Sequence, residues 1–235
     1  MFPKVAIIYL SFHSDLYLDD FVSALKSLTY PKDRLEVVIV DNPHPEYGSS
    51  VRAIEEKVMI LSEKEIPRVT LLPQKENLGF SAGNNAGARW AIANGCQYIY
   101  FHNDDGFLAH DAIRPLVEAM ERDRTIAIAQ SLLLLFPDTE YINSVGNAFH
   151  YLGFGFCEGY RTMRMSVQGS GVRDIGYASG AGMMARTDLF QKHGGWDDDF
   201  FMYHEDVELS LRMRLLGYRV VMVPSSLFYH KYQFH

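Results

Sequence analysis

The chain has 235 residues, of which 48% are apolar, 13% aromatic and 22% charged. That is enough apolar surface for a sizeable core, and it excludes a disordered, collagen-like or coiled-coil protein. Lys plus Arg number 22 against 29 Asp plus Glu, a formal net charge of −7. Such a balance gives no general attraction to nucleic acid or anionic lipid, so an anionic ligand must be met by a local cation or by helix N-termini. The two cysteines, Cys96 and Cys157, support neither a disulfide framework nor a cysteine zinc site and read as reduced packing thiols. The longest apolar runs, 5–12 and 127–136, are too short to span a bilayer, and no signal-peptide pattern follows the first. A cytoplasmic protein is expected. The aromatic, basic ending FYHKYQFH suggests a chain that continues, with aromatics placed to graze the inner face of a membrane.

Taken in order, VAIIYLSF (5–12) reads as a buried strand. Residues 15–28 place Leu18, Phe21, Val22, Leu25 and Leu28 on one face at helical spacing. LEVVIVDN (35–42) is the next strand, stopped by Pro43 and Pro45. A charged helix over 50–61 leads to a third strand, RVTLL (68–72). Residues 81–94 read as a small-residue helix closed by Gly95, and CQYIYFHN (96–103) as a fourth strand. Strands alternating with helices imply βαβ units, hence a parallel sheet with right-handed crossovers. Ligands bind such sheets beyond the carboxyl ends of the strands, where Asp41 and the Asn103–Asp105 cluster fall. A helix over 111–122 precedes a β-rich, glycine-dense stretch (126–177), and helices return at 187–193 and 205–216. One continuous domain is expected over 1–235, with a nucleotide-type half to about residue 106 and an acceptor-type half after it.

Three segments carry chemistry. HNDDG (102–106) gathers Asn103, Asp104 and Asp105 at a strand end. This is either a solvated turn or an oxygen-rich site for Mg2+ or Mn2+, which are often shared between carboxylates and a diphosphate. ENLGFSAGNNAGARWAIANG (76–95) spaces Gly79, Gly83 and Gly87 four apart, which stacks them on one helix face for close packing. Ser81 is the expected N-cap there, with exposed N–H groups that can hold a phosphate. The pattern is neither a P-loop nor a dinucleotide fingerprint. In GGWDDDFFMYHEDVELSLRMRLLGY (194–218), Val207, Leu211 and Leu215 form an expected core stripe, and Glu208 can pair with Arg212. Glu205 and Asp206 fall at that helix's N-terminus, either complementing its dipole or supplying a general base. His230, in the run LFYHKYQFH, reads as a core histidine or a metal ligand.

In this order, VAIIYLSFHS, EVVIVDN, ENLGFSAGNNAG, HNDD, YASGAGMMARTDLFQKHGGWDDDFFMYHEDVELSLRMRLLGY and His230 resemble glycosyltransferase family 2, the inverting nucleotide-sugar transferases. The similarity is strongest to the rhamnosyltransferase and galactofuranosyltransferase branch and runs from Val5 to about His230. It implies the GT-A fold, an α/β architecture. Its central sheet is Rossmann-like and mostly parallel, with helices on both faces and a smaller mixed β region on the acceptor side. The resemblance further implies that Asp41 bonds the nucleotide base with Ser11 nearby. Asn77 and Gly79, helped by Asn84, would approach the ribose and diphosphate. Asp105 and His230 would bind the metal, with Asn103 beside them where relatives often carry Asp, and Asp104 would lie against the sugar or ribose. Ser179, Gly180 and Ala181 would line the acceptor side, and Asp206 would be the base, with Glu205 and Trp196 shaping the acceptor pocket. The implied donor is a UDP- or dTDP-linked sugar, the cofactor Mn2+ or Mg2+, and the acceptor a glycan or lipid-linked hydroxyl. The competing readings are a catalytically silent nucleotide-sugar-binding module and a nucleotidyltransferase. The latter is disfavoured because 11–19 has neither glycine nor a cation.

Overall fold

The computed structural model describes residues 2–167 and 169–232. The first half follows the sequence pattern closely. Strand β1 (Val5–Phe12) leads to helix α1 (Leu18–Ser27), and β2 (Leu35–Asn42) to α2 (Val51–Lys57). Strand β3 (Arg68–Pro73) leads to α3 (Gly79–Ala93) and then β4 (Tyr98–Asn103). After these come β5 (Gly106–Leu108), α4 (Ile113–Arg122), β6 (Ile126–Leu135), β7 (Ile142–Ser144), β8 (Asn147–Phe149), β9 (Gly155–Cys157), β10 (Arg173–Asp174) and β11 (Gly182–Arg186). Helices α5 (Thr187–Lys192) and α6 (Glu205–Leu215) precede the long β12 (Arg219–His230).

One ten-stranded sheet joins both halves in the order β10-β12-β6-β11-β4-β1-β2-β3, with β5 on β12 and β7 on β6. Strands β3, β2, β1 and β4 are mutually parallel. Strand β11 runs antiparallel to both β4 and β6, and β12 is parallel to β6. The six long strands therefore point one way, and their carboxyl ends share one edge. Strands β8 and β9 form a separate hairpin.

Side chains alternate between two cores, as a sheet covered on both faces requires. Val5, Ile7, Tyr9, Val37 and Ile39 pack with α1, α2 and α4 through Phe21, Leu25, Ile54 and Leu116. Ala6, Ile8, Val38 and Val40 pack with α3, α5 and α6 through Ala88, Ala91, Phe190, Leu209 and Met213. Gly83 and Gly87 face Leu10 and Ile8, where an added Cβ would lie 2.6 and 2.5 Å from the nearest side-chain carbon. This confirms the packing reading of their spacing.

Four expectations are revised. Helix α3 starts at Gly79, so Ser81 is not its N-cap but lies inside the first turn, fully buried. The core stripe of α6 is Leu209 and Met213, while Leu215 is 79% exposed. The helix is rotated because its first turn is tied through Asp206 and Ser210 to the 178–180 segment. Cys157 is exposed on the hairpin, not packed. The aromatic ending is interior in part: β12 buries Phe228 and His230 by pairing with β6 and β5, while Tyr232 is exposed, and the last three residues lie outside the described ones.

Candidate active site

Strands β1, β2, β4 and β12 carry Ser11, Asp41, Asn103 and His230 to one edge. Register makes this a site. Gly106 pairs with His230 across β5 and β12, which sets the preceding Asp105 against the histidine. A Cβ on Gly106 would lie 2.3 Å from Phe228 Cε1 and 2.8 Å from the Tyr229 carbonyl oxygen. Only glycine permits that approach, so the last residue of HNDDG is needed for close packing as much as for a turn.

His230 is 5% exposed, and its Nε2 lies 3.1 Å from Asp105 Oδ1. Its Nδ1 lies 2.9 Å from Oδ1 of buried Asn143 on β7. Both ring nitrogens thus face oxygen acceptors. That environment suits an imidazolium, or a neutral ring donating through Nδ1 with a cation in place of the Nε2 proton, the usual outer-shell arrangement of a metal-binding histidine. Burial pushes the Asp105 carboxyl up, but the hydrogen bond and charge of His230 outweigh it and hold the group below its ordinary value. Among the described residues no cluster of three or more His, Cys, Asp or Glu side chains is gathered for a metal. A carboxylate with an imidazole fits a cation whose remaining ligands are substrate oxygens and water. Asn143 carries no motif signal; only the fold brings it to His230.

Asp104 points elsewhere. Its Oδ2 accepts the Phe12 N–H at 2.9 Å, tying the ends of β4 and β1. Burial, reinforced by the neighbouring Asp105 charge, pushes it up to about 7. Asn103 is half-buried, and its N–H donates to the Ala181 carbonyl. That bond brings the acceptor-side turn to the strand end.

The turn in question, Ser179 to Ala181, also reaches α6. Gly180 N–H approaches Asp206 Oδ2 at 3.4 Å, and Val207 N–H donates to Asp206 Oδ1 at 2.8 Å. Burial pushes the Asp206 carboxyl up against these bonds. Glu205 is 6% exposed, with Oε2 unpartnered among the described groups. Burial and the adjacent Asp206 push it up to about 7. The backbone ahead of this pair is left-handed at Tyr203 (φ 74°) and His204 (φ 69°), an uncommon conformation that aims two acids at one edge. Buried Gln130, from β6, accepts the Ser179 N–H at 2.7 Å and so positions the turn. It too lacks a sequence signal.

Other predicted residues lie at the edge in supporting roles. Trp196 does not line an acceptor pocket: it is 1% exposed, packed among Phe80, Phe101 and Phe190. Its main chain is held at both N–H and C=O by the Asn85 amide. Through Phe80, which packs against Gly180, it props the turn. Asp41 is 1% exposed, and its oxygens accept from Ser11 Oγ (2.7 Å), Ser49 Oγ (2.5 Å) and Ser50 N–H (3.3 Å). Asp41 and Ser11 therefore tie down the 43–50 loop. Beside them Phe12 and Tyr47 are exposed, and Tyr47 stacks on the half-buried His13 with centroids 4.5 Å apart.

Three N–H groups at the opening of α3 are already engaged. Leu78 N–H approaches Asn42 Oδ1, Gly79 N–H donates to Asn77 Oδ1, and Phe80 N–H donates to the Phe201 carbonyl. Gly79 itself sits at φ 75° with Phe201 against it. Asn84 is 1% exposed; its amide N–H donates to the Phe80 carbonyl, leaving Oδ1 without a partner among the described groups. Asn77 alone of this group keeps an amide half-open to solvent. A cavity of about 620 Å³ on the outer side of α3, α5 and α6, bordered by Arg89, Asp197 and Arg212, contains none of the strand-end acids.

The sequence and the fold are similar to those of known proteins. Residues 98–235 match the model of the glycosyl transferase family group 2. The probable glycosyltransferase YdaM of Bacillus subtilis (strain 168) is 27% identical over 236 residues, covering 96% of this chain and 50% of that protein. The N-acetylglucosaminyl-diphospho-decaprenol L-rhamnosyltransferase of Mycobacterium tuberculosis (strain ATCC 25618 / H37Rv) is 24% identical over 254 residues, covering 97% of this chain and 76% of that one. The solved structure of GalNAc-T7 with UDP, GalNAc and Mn2+ superposes with a TM-score of 0.76 at 14% identity, over 99% of this chain and 44% of that one. This shows the shared GT-A fold. The chain thus spans half the length of YdaM and less than half of GalNAc-T7. From the family match, which covers more than half of its residues, the chain belongs to glycosyl transferase family group 2.

Proposed function

We propose that this glycosyltransferase moves a sugar, with inversion, from a UDP- or dTDP-linked donor to a hydroxyl of a glycan or lipid-linked acceptor, with Asp206 as general base. The observation that carries this reading is the placement of Asp206: held by the Gly180 turn, whose Ala181 carbonyl binds Asn103, it shares one edge with Asp105 and His230. Asp206 accepts the acceptor's proton as that oxygen attacks the anomeric carbon, from the face opposite the departing diphosphate. Its raised proton affinity suits this task at neutral pH. Asp105 and His230 would hold Mn2+ or Mg2+, which when bound supplies positive charge against the leaving diphosphate. Asp104 and Asn77 orient the donor's sugar and ribose, and Ser179 borders the acceptor. The exposed Tyr47 ring, stacked on His13, offers the base a stacking face.

The names of two similar proteins support the substrate classes: one binds UDP with Mn2+, and the other transfers rhamnose to a diphospho-decaprenol acceptor. The test is calorimetry of UDP, dTDP and GDP, each with Mn2+ or EDTA, on the wild type, Asp206→Asn and Asp105→Ala. Asp206→Asn should keep metal-dependent nucleotide binding and lose about 10²–10⁴ in transfer rate. Asp105→Ala should lose nucleotide affinity as well. Equal loss of binding in both variants refutes this division of roles, and nucleotide binding without transfer by the wild type refutes the enzyme.

A further inference from the structure

The β8–β9 hairpin and the turn after it carry six of the twenty large apolar side chains exposed among the described residues. Tyr151, Leu152, Phe154 and Phe156 are 85%, 63%, 65% and 52% exposed, and Met163 and Met165 are 51% and 73% exposed. Six such groups within fifteen residues exceed the scattered apolar exposure normal for a protein surface. They are not part of the main sheet, since β8 and β9 form a two-stranded sheet of their own, with a bridge from Asn147 to Tyr177. The hairpin is still fastened near the candidate base. Gly155 packs against Tyr177, whose phenol is pushed up first by burial and then by the Asp206 carboxylate.

The charge of this patch opposes that of the chain. Against a net charge of −7, Arg161 and Arg164 stand among its apolar side chains with no ion pair among the described residues, and Arg161 lies over the Tyr160 ring. Of the acids nearby, Glu158 sits 4.0 Å from a third arginine, Arg173, and Glu140, whose carbonyl accepts the Arg164 N–H, is in no ion pair with either arginine among the described residues. Aromatic and aliphatic tips beside unpaired guanidiniums suit the boundary between lipid headgroups and acyl chains, with apolar tips buried and cations at the anionic surface. A second copy placed symmetrically on the same patch would bring each Arg161 and Arg164 toward its counterpart, an unfavourable pairing.

We infer that the β8–β9 hairpin and the 160–165 turn form a docking surface for an anionic lipid bilayer, placing the Asp206 side of the edge at the membrane. This deepens the lipid-linked-acceptor part of the proposed function and rests on it.

The test is co-sedimentation of the chain, without nucleotide, on phosphatidylcholine vesicles with and without phosphatidylglycerol, at low and high salt. The expected result is partition onto the anionic vesicles that weakens with salt. Arg161→Ala/Arg164→Ala should lower it about 30-fold, and Leu152→Ser/Phe154→Ser by at least about tenfold. Circular dichroism checks that these surface variants stay folded. Absent or equal partition on both vesicle types, or full partition by either variant, overturns the proposal. So does a concentration-dependent dimer that the Leu152/Phe154 variant abolishes, which would assign the patch to a second copy. Because vesicle binding is read without donor, its failure leaves the transferase reading standing, and failure of the nucleotide calorimetry leaves vesicle binding readable.

Discussion

Replacing Glu205 with glutamine isolates the cost of holding two acids at the start of α6. The carboxyl is 6% exposed, has one oxygen without a partner, and moves from an ordinary 4.5 to about 7 through burial and the charge of Asp206. The folded state therefore holds this proton more tightly than the unfolded chain does. The associated stability is fully present below pH 4.5 and declines as pH rises toward 7, with no further change above. A shift of this size amounts to about 3 kcal/mol of destabilisation at pH 8. Glutamine keeps the shape without the charge. Glu205→Gln should thus match the wild type near pH 4 and be more stable by about 3 kcal/mol at pH 8. For a chain of this length that is roughly 6–12 °C in melting temperature. Denaturant titrations of both proteins across that range measure it. A stability difference independent of pH, or one favouring the wild type at pH 8, would refute the claim that Glu205 is strained by burial.

Gly106→Ala should force Phe228 and Tyr229 away from β5, costing about 1–3 kcal/mol. It should weaken Mn2+-dependent nucleotide binding more than tenfold, because it parts Asp105 from His230. Thermal melts and calorimetry read the two effects, and unchanged metal dependence would show that the β5–β12 register does not set the site. Asn85→Ala leaves the Trp196 N–H and carbonyl without partners and should cost about 2–4 kcal/mol in chemical denaturation. A neutral result would mean that the 196–198 loop is held by packing alone.

Much of the architecture was legible in the chain because local patterns and tertiary needs agree. The strands VAIIYLSF and LEVVIVDN were located to the residue, since a strand buried on both faces must be continuously apolar and is ended by whatever can leave the sheet. The acids at the ends of β2 and β4 could be placed on one edge from the alternation of strands and helices, whereas those at the start of α6 were tied to the site only by the family resemblance. Roles that depend on side-chain partners could not. Asp41 is saturated by Ser11 and by Ser49 and Ser50, nearby in sequence, yet no pattern distinguishes a carboxylate facing its own loop from one facing a ligand. Trp196 sits in an acidic, glycine-rich segment that looks solvent-facing, until α3 supplies Asn85 to hold its backbone and draw the indole inward.

What the sequence by itself determined were most of the elements, their order and the strand ends at which Asp41, Asp104 and Asp105 gather, because periodicity and strand-end placement are short-range properties. Tertiary structure decided which of those acids meet which partners. His230 reaches Asp105 only through the pairing of β5 with β12, and Asn143 reaches His230 only because β7 folds back on β6. The helical face of α6 turned with the bonds at its first turn, against its apolar spacing. These contacts join residues up to 125 positions apart, a separation at which only the register of the sheet, and no local pattern, sets the distance between two side chains.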